Sequence, residues 1–400
     1  MKNSEQKPLL LSQPIKLGEL ELKNRIVKAS MVENLASENG EVQDALIKLY
    51  ERWAKGGASL LITGGAYVQK NGRSVRYLIG AHDDSLIPGL ARLTEAVHKF
   101  GAKIVLQIYH CGRQTQPELV DGDVIAPSAV KDQLTKVMPR EMTEKEIEEV
   151  IISFGKSALR AKQAGFDGVE VMAGHGYLIN QFLSRRTNKR KDSWGGSLEN
   201  RARFLFEIIK EIRRQVGDSY PLLVKLNTED QLKEGFSVEE SAWVAEKLSE
   251  MGVNAIKLTG GTFESGLNIA RGAIPEDEIL EDLAGWEKYR VKMIIRAMKR
   301  KFRFYEAYFL KNARRISPRV KVPIILVGGL RTVEVMENIL KEGASQLIAL
   351  GRPLVRDPDF PNKILEGKAK QSTCQNCNRC FIRIAQEKPL RCYALEKEKT

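Results

Sequence analysis

Short apolar runs alternate with longer amphipathic stretches along most of the chain. Eight of the runs have the length and residue types of strands, and in order they read RIVKASM, ASLLITGG, KIVLQIYH, DGVEVMA, PLLVKLN, VNAIKLTGG, VPIILVGG and SQLIALGR. Most segments between them have helical periodicity, and two begin with capping-box spacings, Thr143 with Glu146 and Ser237 with Glu240. Eight strands separated by helices predict a (β/α)8 TIM barrel, with a doubly wound parallel sheet as the alternative.

Three segments stand outside this alternation. Residues 11–25 carry short apolar runs on either side of Gly18 and predict a hairpin that closes one end of the barrel. The connection after the sixth strand, residues 260–320, is long enough to predict an elaborated loop with its own helices over the active face. We therefore predict a barrel domain over residues 1–368 and a short cysteine-bearing tail over residues 369–400.

Composition narrows the class of protein. Hydrophobic residues make up 42% and charged residues 29% of the chain, as is typical of a soluble globular protein. No apolar run reaches the roughly 20 residues of a membrane span, and the N-terminus has no convincing leader, so we expect a cytoplasmic protein. The net charge is +13, but the basic residues between 292 and 315 have helical spacing and predict a solvated helix face. We expect neither nucleic acid nor membrane as a partner, and a homo-oligomer stays open.

Small and polar side chains stand where the predicted strands end, which is where a TIM barrel carries its active site. Few of them titrate, and no pair of carboxylates of the glycosidase kind is present. This favours a site in which a bound cofactor supplies the chemistry. The residues at the strand ends are Ala29, Ser30, Met31, Gln107, His175, Tyr177 and Lys225.

Glycines follow the last two strands. Gly328 and Gly329 follow the seventh, and Gly351 and Arg352 follow the eighth. Backbone N–H groups at glycines can approach phosphate oxygens, an arginine can pair with them, and this is the usual phosphate position of the fold. The alternative is that these glycines serve only tight turns that need a positive φ.

Residues 175–203 carry a long motif of fixed spacing, HGYL-xx-QFLS-xxx-N-x-R-x-D-x-WGGS-x-ENR-x-R. It resembles the Old Yellow Enzyme family of flavin-dependent ene-reductases and NADH:flavin oxidoreductases, and the resemblance extends over residues 10 to about 360. It implies FMN as the cofactor, NAD(P)H as the reductant and a small-molecule electron acceptor.

The resemblance also implies roles for single residues. Ala29, Ser30 and Met31 would lie along the isoalloxazine ring, Gln107 would bond its pyrimidine edge, and Lys225 would face N1 and O2. His175 would donate to the carbonyl of the acceptor, and Tyr177 would protonate its α-carbon. The glycine turns and Arg352 would hold the phosphate.

Two positions depart from the family pattern. Met172 stands where the family has a second carbonyl donor, and a thioether cannot donate a hydrogen bond. Val32 stands where some members have Thr or Cys near flavin O4. Methionine at this position is similar to the dienoyl-CoA reductase-like branch, so a plain enone is not the expected acceptor.

The tail has four cysteines with the spacing C-x2-C-x2-C-x11-C, namely Cys374, Cys377, Cys380 and Cys392. Such thiols can hold a [4Fe–4S] cluster or Zn²⁺. Larger relatives have one more residue in the middle gap, so free thiols are an equal alternative, and we assign no metal ligand.

The sequence thus predicts an FMN-dependent NAD(P)H oxidoreductase that passes a hydride to an activated C=C or similar acceptor. The alternative enzyme is a dienoyl or enoyl thioester reductase with an additional Fe–S cluster. A non-enzymatic flavin-binding or nucleic-acid-binding barrel is the third hypothesis.

Overall fold

The computed structural model describes residues 8–281 and 283–397, and it contains a closed barrel of eight parallel strands. All eight predicted strands are present, each a little shorter than or shifted within its apolar run, and the TIM barrel is confirmed over the doubly wound sheet. Each strand pairs with its neighbour in sequence, and β8 closes the ring on β1. The strands are β1 (Ile26–Lys28), β2 (Leu60–Tyr67), β3 (Lys103–Tyr109), β4 (Gly168–Ala173), β5 (Leu222–Asn227), β6 (Ala255–Thr259), β7 (Ile324–Val327) and β8 (Leu347–Leu350).

An outer layer of helices covers the barrel. The principal helix after each strand is α1 (Asp44–Lys55), α2 (Ile87–His98), α3 (Glu144–Gln163), α4 (Leu198–Val216), α5 (Val238–Glu250), α6 (Leu310–Ile316), α7 (Val333–Lys341) and α8 (Phe360–Leu365). Both predicted capping boxes are formed, at Thr143 of α3 and Ser237 of α5. Additional helices in the loops and the tail are Leu178–Leu183, Glu276–Ile279, Gly285–Lys301, Arg352–Arg356, Arg379–Ala385 and Tyr393–Lys397.

The predicted N-terminal hairpin is present as two antiparallel strands, Ile15–Leu17 and Leu20–Leu22, joined through Gly18 at a φ of +61°. Its buried leucines pack against the apolar layer of the barrel interior. The hairpin therefore closes the end of the barrel opposite the predicted site. Residues 1–7, over which we predicted no leader, lie outside the described part of the chain.

The interior of the barrel is layered because successive strand residues point to opposite faces of the sheet. One layer is apolar, with Val105, Leu223, Ala255 and Ile325 among its members. Two residues further along, the inward side chains of β3, β5 and β6 are polar, whereas Val327 of β7 is apolar. This second layer contains Gln107, Glu170, Lys225 and Lys257.

The loop after β6 contains the predicted extra helices. Helix Gly285–Lys301 buries only Ile295 fully among its described residues, and its lysines and arginines are exposed, as we predicted for the basic stretch. Its outer face also exposes apolar side chains, including Trp286, which is 76% exposed. The helix is thus basic and aromatic on one surface.

The tail packs back onto the barrel. Leu390 N donates to Glu33 O at 2.8 Å, and the Asn34 side chain donates to Ile384 O at 2.8 Å and to Lys388 O at 3.2 Å. These bonds join the tail to the loop that follows β1. Among residues 8–281 and 283–397, no helix has the length and apolar character needed to cross a membrane.

Candidate active site

Three amino or amide groups converge on one hydroxyl at the carboxyl end of the barrel. Ser30 Oγ accepts from Gln107 Nε2 at 2.9 Å, from Lys257 Nζ at 3.2 Å and from Lys225 Nζ at 3.3 Å. These residues follow β1 or lie in β3, β6 and β5, and the parallel strands bring their inward side chains to one level. The structure therefore places Ser30, Gln107 and Lys225 together at this end of the barrel.

This group of donors exceeds what the hydroxyl can accept. A serine oxygen has two acceptor lone pairs, so three donors cannot all be satisfied by it at once. Gln107 Nε2 and Lys257 Nζ also donate to Glu170 Oε1, whereas Lys225 Nζ has Ser30 Oγ as its one acceptor among the described residues. Lys225 is 6% exposed, so water replaces little of what it lacks. The residues fit a ligand that brings further acceptor atoms or negative charge to this point, as the pyrimidine edge of FMN would.

Sequence reasoning missed two members of the polar layer, Glu170 in β4 and Lys257 in β6. Glu170 Oε1 lies 2.7 Å from Lys257 Nζ and accepts from Gln107 Nε2 at 2.5 Å. Both charged side chains are fully buried. Each stands at an inward position of an otherwise apolar strand, and that alternation in DGVEVMA and VNAIKLTGG was the signal that could have found them.

Lys225 has an unusual protonation equilibrium. Burial and then the adjacent Lys257 lower the pKa of Lys225 to about 7, and Glu170 partly opposes them. Lys257 lies directly across the β5–β6 ladder from Lys225. An anionic ligand would favour the ammonium form of Lys225, so the protonation state of this lysine depends on the charge of the ligand in the site.

His175 follows β4 in a left-handed backbone conformation, at a φ of +58°. Its backbone N–H donates to Asn227 Oδ1 at 3.1 Å, and its Nε2 lies 2.7 Å from Thr259 Oγ1. Burial, followed by the nearby Lys225 and Lys257, lowers the pKa of His175 well below its usual value. The imidazole is therefore neutral at physiological pH and keeps one N–H to donate.

Tyr177 is buried within a group of rings. Its ring centroid lies 5.0 Å from that of Tyr109 and 5.7 Å from that of Phe263, both edge-on. Burial raises the pKa of Tyr177 to about 12, so the phenol keeps its proton at neutral pH. Phe263 also lies 6.2 Å from the His175 ring. The two predicted catalytic residues thus flank one phenylalanine.

Met172 is 3% exposed and belongs to the same apolar cluster as Tyr109 and Tyr177. It stands across the β4–β5 ladder from Lys225. The wall of the site is therefore apolar where a second carbonyl donor was expected from the family pattern. Val32 packs against this cluster as well.

The predicted phosphate residues surround the ends of β7 and β8. Gly328 and Gly329 have φ values of +125° and +71°, so the backbone needs glycine at both positions, as the tight-turn alternative requires. A Cβ on Gly329 would lie 2.7 Å from the Tyr308 ring, and one on Gly351 would lie 3.1 Å from Met31 Sδ and 3.9 Å from Ala29 Cβ. The ends of β8 and β1 are thus adjacent.

Arg352 points towards the tail. Its guanidinium donates to Asn378 Oδ1 and, at 2.9 Å, to Arg271 O. It also lines a small cavity that all four tail cysteines line. The sequence did not predict this contact between the eighth strand and the tail.

The four cysteines face one cavity but are not arranged around one ion. Burial raises the pKa of the Cys374 and Cys380 thiols, the latter to about 12. Arg356 Nη1 lies 3.8 Å from Cys392 Sγ. Within the described ranges, no three His, Cys, Asp or Glu side chains have the spacing of a mononuclear metal site.

Comparisons with known proteins agree with this geometry. The chain is 37% identical over 382 residues to the NADH oxidase of Thermoanaerobacter brockii, which covers 94% of this chain and 54% of the relative. It is 34% identical over 374 residues to the 4,4'-dithiodibutanoate disulfide reductase of Rhodococcus erythropolis, covering 93% and 92%. Among solved structures, a 2-naphthoyl-CoA reductase bound to 2-naphthoyl-CoA superposes with a TM-score of 0.84 at 33% identity, over 96% of this chain and 56% of that one.

The chain spans about half the length of the first and third of these relatives. One family profile, described as NADH:flavin oxidoreductase / NADH oxidase, matches residues 10–263 and 272–371. It covers all eight strands and the polar layer, and it confirms the resemblance in the motif at 175–203. The chain therefore belongs to the NADH:flavin oxidoreductase / NADH oxidase family.

Proposed function

We propose that this protein is an FMN-dependent oxidoreductase that takes a hydride from NAD(P)H and passes it to an electron-poor small molecule. FMN, when bound, supplies the hydride chemistry through its N5 atom. The observation that carries the proposal is the convergence of Gln107, Lys225 and Lys257 on Ser30 Oγ, at 2.9–3.3 Å. A planar ring with acceptors on one edge satisfies these donors better than a hydroxyl does.

Each named residue then has a task. Gln107 donates to the pyrimidine edge, and Lys225 places a cation beside N1 and O2, where the reduced ring carries negative charge. Ala29, Ser30 and Met31 line the ring where β1 ends beside Gly351. The phosphate is held by Gly328, Gly329, Gly351 and Arg352. For Arg352, this requires its guanidinium to release Asn378 and Arg271 and to bond the phosphate instead.

The acceptor would bind beside His175 and Tyr177, on the side of the site that Phe263 borders. His175 is neutral and donates one N–H to a carbonyl of the acceptor, while Asn227 and Thr259 hold its backbone and ring. Tyr177 keeps its proton until the acceptor carbon takes it. Because Met172 provides no second donor, an acceptor that is already activated, such as a thioester or quinone, suits this site better than a simple enone.

The test is anaerobic purification and titration of bound flavin. We expect about one FMN per chain, bleaching by NADH or NADPH, and reoxidation by at least one member of a panel of enones, enoates, thioesters, quinones and oxygen. A colourless protein that does not bind added FMN would show that the proposal is wrong.

A second candidate is a thioester reductase that also holds an Fe–S cluster. The single cavity lined by Cys374, Cys377, Cys380 and Cys392 favours it, because a [4Fe–4S] cluster uses four thiolates around a body larger than one ion. Arg352 and Arg356 line the same cavity and would offset the negative charge of the thiolates. Iron and sulfide analysis of anaerobically purified protein separates this candidate from the first. We expect about four iron atoms per chain if the cluster is present and none if the protein holds FMN alone.

A further inference from the structure

Lys257 and Glu170 form a buried ion pair inside the barrel, in the same polar layer as Gln107 and Lys225. Their charged atoms lie 2.7 Å apart, and both side chains are fully buried. Taking two charges out of water is costly, and a pair of apolar residues is often at least as stable in such a place. Stability alone therefore does not explain why this ion pair is present.

The hydrogen bonds of the pair lead to the flavin side of the layer. Lys257 donates to Ser30 Oγ at 3.2 Å, and Glu170 accepts from Gln107 Nε2 at 2.5 Å. Both partners are residues that we assign to the flavin ring. Glu170 Oε2 is buried and has no hydrogen-bond partner in the described structure, so its oxygens are not fully satisfied by the fold.

Lys257 also sits directly across the ladder from Lys225. Within the polar layer, these two ammonium groups face the one carboxylate of Glu170. When both lysines are protonated, this trio carries one net positive charge. A reduced flavin, which is negatively charged at its pyrimidine edge, would be stabilised by that charge more than an oxidised flavin would.

We propose that Lys257 and Glu170 are positioning residues that set the redox preference of the bound flavin. Glu170 orients the amide of Gln107 and the ammonium of Lys257, and Lys257 supplies a second cation beneath the pyrimidine edge. This inference rests on the proposed binding of FMN. It adds Lys257 of β6 and Glu170 of β4 to the residues of the polar layer that act on the flavin.

The test measures the midpoint potential of bound FMN, by spectral titration against a reference dye at pH 7, in three variants. Lys257→Met with Glu170→Gln removes one positive and one negative charge at similar volume, so the net charge of the trio stays at +1. Because Lys257 Nζ is the charge of the pair that contacts Ser30 Oγ, we expect this double variant to lose the preference for reduced over oxidised FMN by about tenfold, which is about 30 mV lower for a two-electron couple. Lys257→Gln with Glu170→Gln replaces the ion pair by two neutral amides, and we expect the same downward shift. Lys225→Met is the matched control and lowers the potential.

The outcomes separate this inference from the proposed function. If the wild-type chain does not bind FMN, both are wrong. If Lys225→Met shifts the potential and neither double variant does, FMN binding stands, and the ion pair serves only the fold. Neither Lys257→Met nor Glu170→Gln alone is relied on, because each leaves a buried charge without its partner and this destabilises the fold. Should the double variant with methionine fail to fold, the shift in Lys257→Gln with Glu170→Gln decides.

Discussion

Raising the pH above 7 should weaken FMN binding, because Lys225 must be protonated before it can act as the cation at the pyrimidine edge. Burial, together with Lys257 and Lys28, lowers the pKa of Lys225 to about 7, and Glu170 only partly opposes them. In the ligand-free protein, half of the Lys225 side chains are therefore neutral near pH 7. Acceptor atoms of FMN favour the ammonium form, so binding above this pH takes up a proton.

The size of the effect follows from linkage. Below pH 7, Lys225 is already charged, and it contributes no pH dependence. Above pH 7, the dissociation constant rises about tenfold per pH unit until the pKa of the complex is reached, and each unit corresponds to about 1.36 kcal/mol. Because half of the Lys225 side chains are already neutral at pH 7, the predicted loss of affinity between pH 7 and pH 9 is about 50-fold, or about 2.3 kcal/mol.

The assay is titration of FMN fluorescence with ligand-free protein between pH 6.5 and pH 9. Lys225→Arg keeps a positive charge over this range, so we expect it to bind FMN with little pH dependence. Lys225→Met removes the cation, so we expect weaker binding at pH 6.5 and again a flat profile. A slope in Lys225→Met equal to that of the wild-type protein would refute the reasoning, since the proton would then belong to another group.

Three further predictions concern other parts of the molecule. Tyr177→Phe should slow reduction of the acceptor by about 100-fold or more and leave reduction of the flavin by nicotinamide unchanged; equal slowing of both half-reactions in stopped-flow absorbance would contradict the role as proton donor. Glu33→Ala should lower the free energy of unfolding by about 3–5 kcal/mol, measured by urea denaturation, because it leaves Lys28 Nζ, now 3.3 Å from Glu33 Oε1, as a buried unpaired charge; a loss below about 1 kcal/mol would count against that pair. If the tail holds a cluster, Cys377→Ser should remove iron and long-wavelength absorbance while FMN stoichiometry stays at one, and wild-type protein without iron would end that hypothesis.

Most of the barrel could be predicted from the chain because a buried parallel strand is a short apolar run and each run is followed by an amphipathic helix. The hairpin, both capping boxes and the eight strands follow from local patterns of this kind. The strand ends also predicted that Ser30, Gln107 and Lys225 would meet, since parallel strands present their carboxyl ends at one rim.

Long-range orientation could not be predicted. Glu170 and Lys257 are charged residues in apolar strands, and only the register of the closed barrel shows that both point inward to one level. Arg352 was expected at a phosphate, but it bonds Asn378 and Arg271, which lie in the tail and in the loop after β6. Contacts between segments so far apart in sequence leave no local pattern. The roles of Gly328, Gly329 and Gly351 stay predictions, because a tight turn and a phosphate site both favour glycine.

The docked tail has a consequence for how acceptors are chosen. Phe381 of the tail stacks on Phe263, with ring centroids 6.4 Å apart, and Phe263 in turn touches Tyr177. The last segment of the chain thus supplies part of the wall around the proposed acceptor position. We expect relatives that share the barrel but differ in this segment to select different acceptors, so exchanging tails between them, with Asn378 and its bond to Arg352 kept, is a route to altered selectivity.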